Sequence, residues 1–233
     1  MTTIAFELAL ANRILSNEGV MDTFGHASCR RPDDPDRFLL SVAIPPLLAQ
    51  ETDIIEYTLD AAPVEKQERP LFSEAVIHSE IYRARPDVQA ICHHHAPAIM
   101  PFCVSGTALR PISQLGAAIG REAPFWDSRD EFGDTNLLLT KQEHGQSLAR
   151  ALGSNWIVLM RRHGATVVGR SLKEMVFRSM HSTLNATAQM HAILLGNVDH
   201  LSEGEIELAG DIKSPAIYRT WLYASERLAR VER

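Results

Sequence analysis

Two histidines stand two residues apart at the end of an apolar stretch of the chain, His93 and His95. In a β-strand, residues i and i+2 point to the same face, so both imidazoles can reach one divalent metal ion. A third histidine, His163, precedes Gly164, where the absence of a side chain lets backbone approach closely. Three nitrogen ligands leave coordination positions open, which is typical of catalytic sites. The pattern predicts one reactive metal ion that acts as a Lewis acid.

Each part of this pattern also has an ordinary explanation. A lone His-x-His pair is often exposed or packed, and a histidine before glycine in a hairpin is often a polar turn residue. Three consecutive histidines are harder to explain in this way, because each buried ring has two nitrogens that need partners. His94 faces the opposite way, which predicts a supporting role. Most of the remaining histidines, among them His78, are expected at the surface or packed against helices.

Other metalloproteins that carry a His-x-His pair fit this chain less well. Cupins have a glutamate a few residues after the pair, whereas residues 96–100 contain none. Barrel amidohydrolases need a longer chain for their eight βα units. The His-Glu-x-x-His helix of zinc proteases is absent.

The elements that position these residues follow from hydrophobic periodicity and turn residues. Helices are predicted over residues 4–17, 73–85, 144–152, 171–195 and 215–231, with Ser73 and Ser171 as N-caps. Strands are predicted over 25–30, 37–41, 55–59, 88–92, 136–140, 156–161 and 165–168, and a loop over 198–207. Together they predict one α/β domain over residues 1–233, with a mixed, mostly antiparallel sheet between helices.

Composition narrows the classes of partner. The 233 residues are 45% hydrophobic and 22% charged, close to an average globular protein, and their net charge of −6 disfavours nucleic acid. No run of about 18 apolar residues could span a membrane. Residues 1–11 contain Glu7 and no basic n-region of a secretory signal. Three irregularly spaced cysteines predict neither a disulfide framework nor a zinc ribbon, so we expect a cytoplasmic protein.

Several motifs in combination resemble the class II aldolase/adducin family over residues 4–228. They are Ser73-Glu74, His78, Tyr82, Arg85-Pro86-Asp87-Val88, His93-x-His95, Pro97 and His163-Gly164. The resemblance implies an αβα sandwich around a mostly antiparallel sheet, and homotetramers with sites at subunit interfaces. It also implies that His93, His95 and His163 hold the metal and that Glu74 is the catalytic acid/base. Glu74 falls at the start of a predicted helix, where the dipole favours a carboxylate in any case.

Departures from the sugar-phosphate aldolases of that family bear on the substrate. Those enzymes hold phosphate with an asparagine, a glycine-containing turn and a serine pair. Here the corresponding positions are His26, residues 41–46 without glycine, and Phe72-Ser73. Three changes in one subsite argue against a phosphorylated sugar. An added aromatic ring and an imidazole suit a planar aromatic acid, through stacking and a charge-assisted hydrogen bond.

The segments Gly25-His26-x-Ser28 and 36–41 are similar to the decarboxylase branch of the family, which acts on hydroxylated aromatic dicarboxylates. The resemblance implies a carboxy-lyase that uses a divalent metal, with Mn²⁺ favoured and Zn²⁺ as the alternative. The favoured substrate is 3-hydroxy-2-methylpyridine-4,5-dicarboxylate, an intermediate of pyridoxine degradation. Candidate substrate-binding residues are His26, Ser28, Ser41, Ser73 and, from a neighbouring subunit, Tyr218.

Three other functions remain open. The first is a class II aldolase or epimerase that acts on an unphosphorylated hydroxy-carbonyl compound. The second is an adducin-type interaction module; such modules need not keep the metal histidines, whereas all three histidines and Glu74 are present here. The third is an adventitious metal site at residues 93–95, which predicts weak metal binding that is indifferent to His163.

Overall fold

The computed structural model describes residues 2–232, and within this range one seven-stranded sheet is flanked by helices. The strands are β1 (His26–Arg30), β2 (Arg37–Ser41), β3 (Ile54–Thr58), β4 (Ala90–His94), β5 (Phe125–Trp126), β6 (Ile157–Met160) and β7 (Gly164–Gly169). The α-helices are α1 (Ile4–Asn17), α2 (Ala75–Ala84), α3 (Met100–Ser105), α4 (Arg129–Phe132), α5 (Gln142–Leu152), α6 (Leu172–Leu195), α7 (Glu203–Gly210) and α8 (Ser214–Val231).

The strand order is β3-β2-β1-β4-β7-β6-β5, and the neighbouring strands are antiparallel except for β5, which runs parallel to β6. Alternation along the strands sends side chains into two cores. On β4, Ala90 and Cys92 face a core shared with α1, α6 and α8, whereas Ile91 faces a core shared with α2 and α5. The expected αβα arrangement is therefore confirmed. One domain over residues 1–233 stays a prediction, and residues 1 and 233 lie outside the described part.

Helices begin where a side chain can accept a hydrogen bond from a backbone N–H group of the first turn, and they end where the backbone can leave the helical conformation. Thr3 caps α1 by accepting a hydrogen bond from the Phe6 N–H, at 3.1 Å. Ser171 caps α6 in the same way by accepting from the Glu174 N–H, at 3.1 Å, as the sequence predicts. α5 ends at Leu152, and Gly153 follows with a φ of 51°, a conformation that favours glycine.

Two predicted segments are wrong. Residues 136–140 do not form a strand: Leu137 has a φ of 68°, and the N–H groups of Leu137 and Leu138 bond to side chains within the same loop. The predicted loop at 198–207 contains the start of α7, because Ser202 and Glu205 form a reciprocal capping box. The sequence also gives no signal for α3, α4 and the two-residue β5.

α6 has 24 residues and is the longest helix among residues 2–232. This length would span a bilayer, but Lys173, Glu174 and Arg178 all lie in its first two turns. Over the described residues, then, none of the helices is both long enough and apolar enough for a membrane span.

Candidate active site

The sheet brings the three predicted metal-binding histidines together. His93 lies on β4, His95 follows the end of that strand, and His163 occupies the turn between β6 and β7. β4 and β7 are neighbours, with His94 paired to Ala165, so the β6–β7 turn lies beside the end of β4. The Nε2 atoms of His93 and His95 are 3.1 Å apart. One nitrogen from each of His93, His95 and His163 lies within 4.8 Å of the other two.

Gly164 permits this close approach. A Cβ atom at this position would lie 2.3 Å from the His94 carbonyl oxygen and 2.9 Å from His95 Cδ2. The preceding Arg162 has a φ of 54°, and its N–H donates to the Cys103 carbonyl oxygen at 2.9 Å. The tight turn and the missing side chain of Gly164 therefore allow His163 to lie close to the end of β4.

The site has the donor set of a divalent-metal site. Burial lowers the pKa of His93 well below its usual value and that of His163 to about 4, so both imidazoles keep a free lone pair at neutral pH. Neutral imidazole is the common metal-binding form of histidine. One nitrogen from each of the three imidazoles could contact a shared ion, and a carboxylate, Glu74, lies close by.

A carboxylate that the sequence analysis missed orients His95. The Nδ1 atom of His95 lies 3.1 Å and 3.2 Å from the two carboxylate oxygens of Asp22. Asp22 is itself held by the N–H groups of Phe24 and Gly25, each at 3.0 Å. Donation from Nδ1 to a carboxylate leaves Nε2 of His95 free for a metal ion, and such outer partners are usual in metal sites. No spacing rule distinguishes a loop aspartate of this kind in the sequence.

Glu74 is the residue immediately before α2, which begins at Ala75, so Ser73 is not the helix cap. Its Oε1 accepts a hydrogen bond from the Leu139 N–H at 2.9 Å. Its Oε2 lies 3.8 Å from Nε2 of His93 and 3.7 Å from Nε2 of His163. Burial raises the pKa of Glu74 above its usual value, although the Leu139 N–H and His95 act in the opposite direction. Glu74 can therefore hold or release a proton beside the histidines.

A cavity of about 410 Å³ opens over this cluster. Its lining residues are Phe24, His26, Phe72, Ser73, Glu74, His95, Leu138 and His163. The rings of His26 and Phe72 lie 4.4 Å apart, tilted by 44°. A few polar groups among aromatic and apolar walls are typical of small-molecule sites, and these walls can pack against a planar ring.

The structure separates the five predicted substrate-binding residues into three groups. His26 and Ser73 line the cavity. Ser28 and Ser41 are buried and lie outside its lining. Tyr218 is exposed on α8 and does not line the cavity of its own chain.

Behind His26 lies a buried chain of hydrogen bonds that the sequence analysis did not predict. His78 is fully buried, and its Nε2 lies 2.7 Å from Nδ1 of His26. Its Nδ1 lies 2.6 Å from the Ser28 hydroxyl oxygen, which lies 2.8 Å from the Tyr82 hydroxyl. Burial lowers the pKa of His78 to about 3, so this ring is neutral. The i, i+4 spacing of His78 and Tyr82 was the available signal for a shared helix face.

Comparison with known proteins gives matches over most of the chain. The family model described as "Class II Aldolase and Adducin N-terminal domain" matches residues 6–191. The decarboxylase tropJ of Talaromyces stipitatus is 31% identical over 232 residues, covering 89% of this chain and 87% of that protein. A 3,4-dihydroxyphthalate decarboxylase of Arthrobacter keyseri is 26% identical over 182 residues, covering 74% of this chain and 72% of that protein.

Solved structures agree with the architecture. L-fuculose 1-phosphate aldolase from Glaciozyma antarctica PI12 superposes with a TM-score of 0.81 at 22% identity, covering 98% of this chain and 89% of that one. An aldolase II superfamily protein from Pseudomonas syringae gives a TM-score of 0.82 at 22% identity, covering 98% and 92%. At this identity the likeness shows the fold alone.

Proposed function

Because the chain belongs to the class II aldolase and adducin family, we propose that it is a divalent-metal-dependent lyase that decarboxylates a hydroxylated aromatic dicarboxylate. The observation that carries this proposal is a cluster of three imidazoles whose members His95 and His163 line, together with Glu74, a cavity with aromatic walls. Relatives named as decarboxylases, one of them for 3,4-dihydroxyphthalate, support the reaction and the aromatic substrate class. Within that class we favour 3-hydroxy-2-methylpyridine-4,5-dicarboxylate.

His93, His95 and His163 would hold the metal ion. When bound, the ion supplies a Lewis acid that stabilises negative charge on a substrate oxygen while a carbon–carbon bond breaks. Imidazole ligands suit Zn²⁺, and the positions left open for water and substrate oxygens suit Mn²⁺. We keep Mn²⁺ as the favoured ion and Zn²⁺ as the alternative.

Glu74 supplies the proton in the proposed reaction. Burial raises the pKa of Glu74, so its carboxyl group holds a proton more readily than it would in water. Glu74 gives this proton to the ring carbon that bears the departing carboxylate. The electron pair of the breaking carbon–carbon bond then returns to the ring as carbon dioxide leaves, and Glu74 recovers a proton from solvent.

The remaining cavity residues bind and orient the acid. Phe24, Phe72 and Leu138 provide apolar surface for the ring and keep water away from the reacting carbon. His26 and Ser73 offer hydrogen bonds to the carboxylate that is retained. Ser28 and Ser41 take no direct part in this proposal, since they are buried outside the lining.

An aldolase or epimerase acting on an unphosphorylated hydroxy-carbonyl compound is the second candidate. The observation in its favour is that the same three histidines and Glu74 could serve carbon–carbon cleavage next to a carbonyl group equally well. The aromatic and apolar walls of the cavity support the decarboxylase over this candidate, because Phe24, Phe72 and Leu138 offer no partners for the hydroxyl groups of a hydroxy-carbonyl compound.

We also propose that the active protein is a homo-oligomer, most simply a tetramer. Large apolar side chains are exposed on the end of α6 and along α8, namely Leu194, Leu195, Tyr218, Leu222 and Tyr223. Exposed apolar patches commonly mark protein–protein contacts. Light scattering during gel filtration should give a mass of about four chains. A monomer would contradict the proposal and the role of Tyr218 in a neighbouring site.

A panel assay tests the reaction class. Purified protein is incubated with Mn²⁺, Zn²⁺ or a chelator and with 3-hydroxy-2-methylpyridine-4,5-dicarboxylate, 3,4-dihydroxyphthalate or an unphosphorylated hydroxy-keto acid. We expect carbon dioxide from at least one aromatic acid and no aldehyde from the hydroxy-keto acid. Aldehyde release without carbon dioxide would replace the decarboxylase by the aldolase.

A further inference from the structure

The buried chain of hydrogen bonds behind the cavity runs from His26 through His78 and Ser28 to Tyr82. Side chains two residues apart on β1 meet side chains four residues apart on α2, because both spacings amount to about 6 to 7 Å. His26 and Ser28 thus face His78 and Tyr82 along a matched pair of elements.

Each link of this hydrogen-bonded chain holds one hydrogen, and two polarities run head to tail through all three links. If Tyr82 and His78 both donated to Ser28, the Ser28 hydrogen would lack an acceptor among residues 2–232. In the first, Tyr82 donates to Ser28, Ser28 donates to Nδ1 of His78, and Nε2 of His78 donates to Nδ1 of His26. In the second, every link is reversed, and Nδ1 of His26 donates to His78. The two polarities place the proton of neutral His26 on different nitrogens.

Tyr82 decides between the two polarities. Its hydroxyl is buried, and among residues 2–232 its single hydrogen-bond partner is the Ser28 hydroxyl. Burial raises the pKa of Tyr82 well above its usual value, so the phenol keeps its hydrogen. In the reversed polarity that hydrogen would have no acceptor, and an unsatisfied buried donor shifts such an equilibrium about tenfold or more.

Arg30 holds the Tyr82 end of the chain in place. Its guanidinium group lies 4.7 Å from the centre of the Tyr82 ring and donates to the carbonyl oxygens of Val88, Tyr82 and Arg85. The guanidinium group therefore packs against the Tyr82 ring and helps to hold its hydroxyl group beside Ser28.

We propose that Tyr82, Ser28 and His78 are positioning residues that lock His26 into the tautomer protonated on Nε2, so that His26 presents an N–H donor to an anionic oxygen of the substrate. Nδ1 of His26 is occupied by His78, and Nε2 is the ring nitrogen left for a ligand in the cavity. His26 lines the same cavity as Glu74, His95 and His163, so its ring lies close to the proposed reacting groups. The lock itself is independent of the proposed function, whereas the use of the donor by a carboxylate rests on it.

Neutron diffraction from crystals of the metal-loaded protein, exchanged into heavy water, tests the lock directly. We expect deuterium on Nε2 of His26, on Nε2 of His78, and on the Ser28 hydroxyl, pointing to Nδ1 of His78. Deuterium on Nδ1 of His26, pointing to His78, would overturn the proposal. This result does not depend on turnover or on any variant.

Kinetics of His78 variants test the use of the donor, with 3,4-dihydroxyphthalate and 3-hydroxy-2-methylpyridine-4,5-dicarboxylate as probes. His78→Leu removes the link to His26, whereas His78→Gln keeps an amide donor for Nδ1 of His26. We expect His78→Leu to raise KM about tenfold and to change kcat less than about twofold, because a carboxylate contact is made before and during the reaction. His78→Gln should restore the KM.

The matched control is His144→Leu, since His144 is a buried histidine on α5 that lies outside the cavity lining. Its KM should equal that of the unchanged protein. An unchanged KM in a folded His78→Leu variant would contradict the donor role of His26. Absence of turnover in the unchanged protein would contradict the proposed function instead, and the neutron map would still decide the lock.

Discussion

Glu74 lies where a carboxyl group keeps its proton more easily than in water. Burial raises its pKa, and the Leu139 N–H fixes one oxygen so that the other faces His93 and His163. A single residue therefore combines a fixed position with a tuned proton affinity, which are the two requirements of a general acid.

Replacing Glu74 with Gln removes the titrating group and keeps the shape of the side chain. We expect kcat to fall about 100-fold or more while the metal content measured by atomic absorption stays unchanged. The matched control is Glu80→Gln, because Glu80 is a buried glutamate on the same helix outside the cavity lining. Near-normal turnover of Glu74→Gln would remove Glu74 from the mechanism.

His78 makes stability depend on pH in a predictable direction. The folded protein keeps this ring neutral down to about pH 3, whereas the unfolded chain takes up the proton near pH 6.5. The unfolded state therefore binds more protons in this window, and the free energy of unfolding falls as pH falls from about 6.5 to about 3, by at most about 1.4 kcal/mol per pH unit for this group. Urea unfolding of metal-free His78→Gln should show a shallower pH dependence. An equal pH dependence of the free energy of unfolding in the two proteins would contradict a His78 that stays neutral in the folded state.

At the scale of elements, the site depends on how closely β4 and the β6–β7 turn approach each other. The sequence predicts β4, β6 and β7 from their apolar runs, and it predicts a close backbone approach at Gly164 from a glycine that follows a histidine. It does not predict that residues 136–140 form a loop. There, the Thr135 and Asn136 side chains accept hydrogen bonds from the N–H groups of Leu137 and Leu138, which outweighs the apolar run. That loop supplies Leu138 to the cavity and the Leu139 N–H to Glu74.

Gly164→Ala tests this close approach. The new methyl group would lie 2.3 Å from the His94 carbonyl oxygen, so β4 and the turn must separate. We expect a loss of about 1 to 3 kcal/mol in the free energy of unfolding and weaker metal binding, measured by urea unfolding and metal titration. Gly204→Ala is the control, because a Cβ atom there would meet nothing within 4 Å. Unchanged metal affinity in Gly164→Ala would show that the spacing is not critical.

At the scale of the whole molecule, the strand order creates the site. His26, Glu74, His93 and His163 are spread over 138 positions, from residue 26 to residue 163, and meet because β1, β4 and β7 are neighbours in the sheet. Spacing along the chain predicts the His93–His95 pair, and Gly164 marks His163 as a candidate third ligand. Long-range strand pairing has no local signal, so the family resemblance is what joins the three histidines into one set. Asp22 and the His78–Ser28–Tyr82 contacts need the three-dimensional structure.

The most direct test of the central claim is carbon dioxide release from the two aromatic dicarboxylates by protein that has been stripped of metal and then reconstituted. We expect no release from the stripped protein, and release that rises with added Mn²⁺ or Zn²⁺ until about one ion is bound per chain. The His163→Ala variant should bind metal poorly and release little. Full release from the stripped protein, or from His163→Ala, would contradict a metal-dependent decarboxylase.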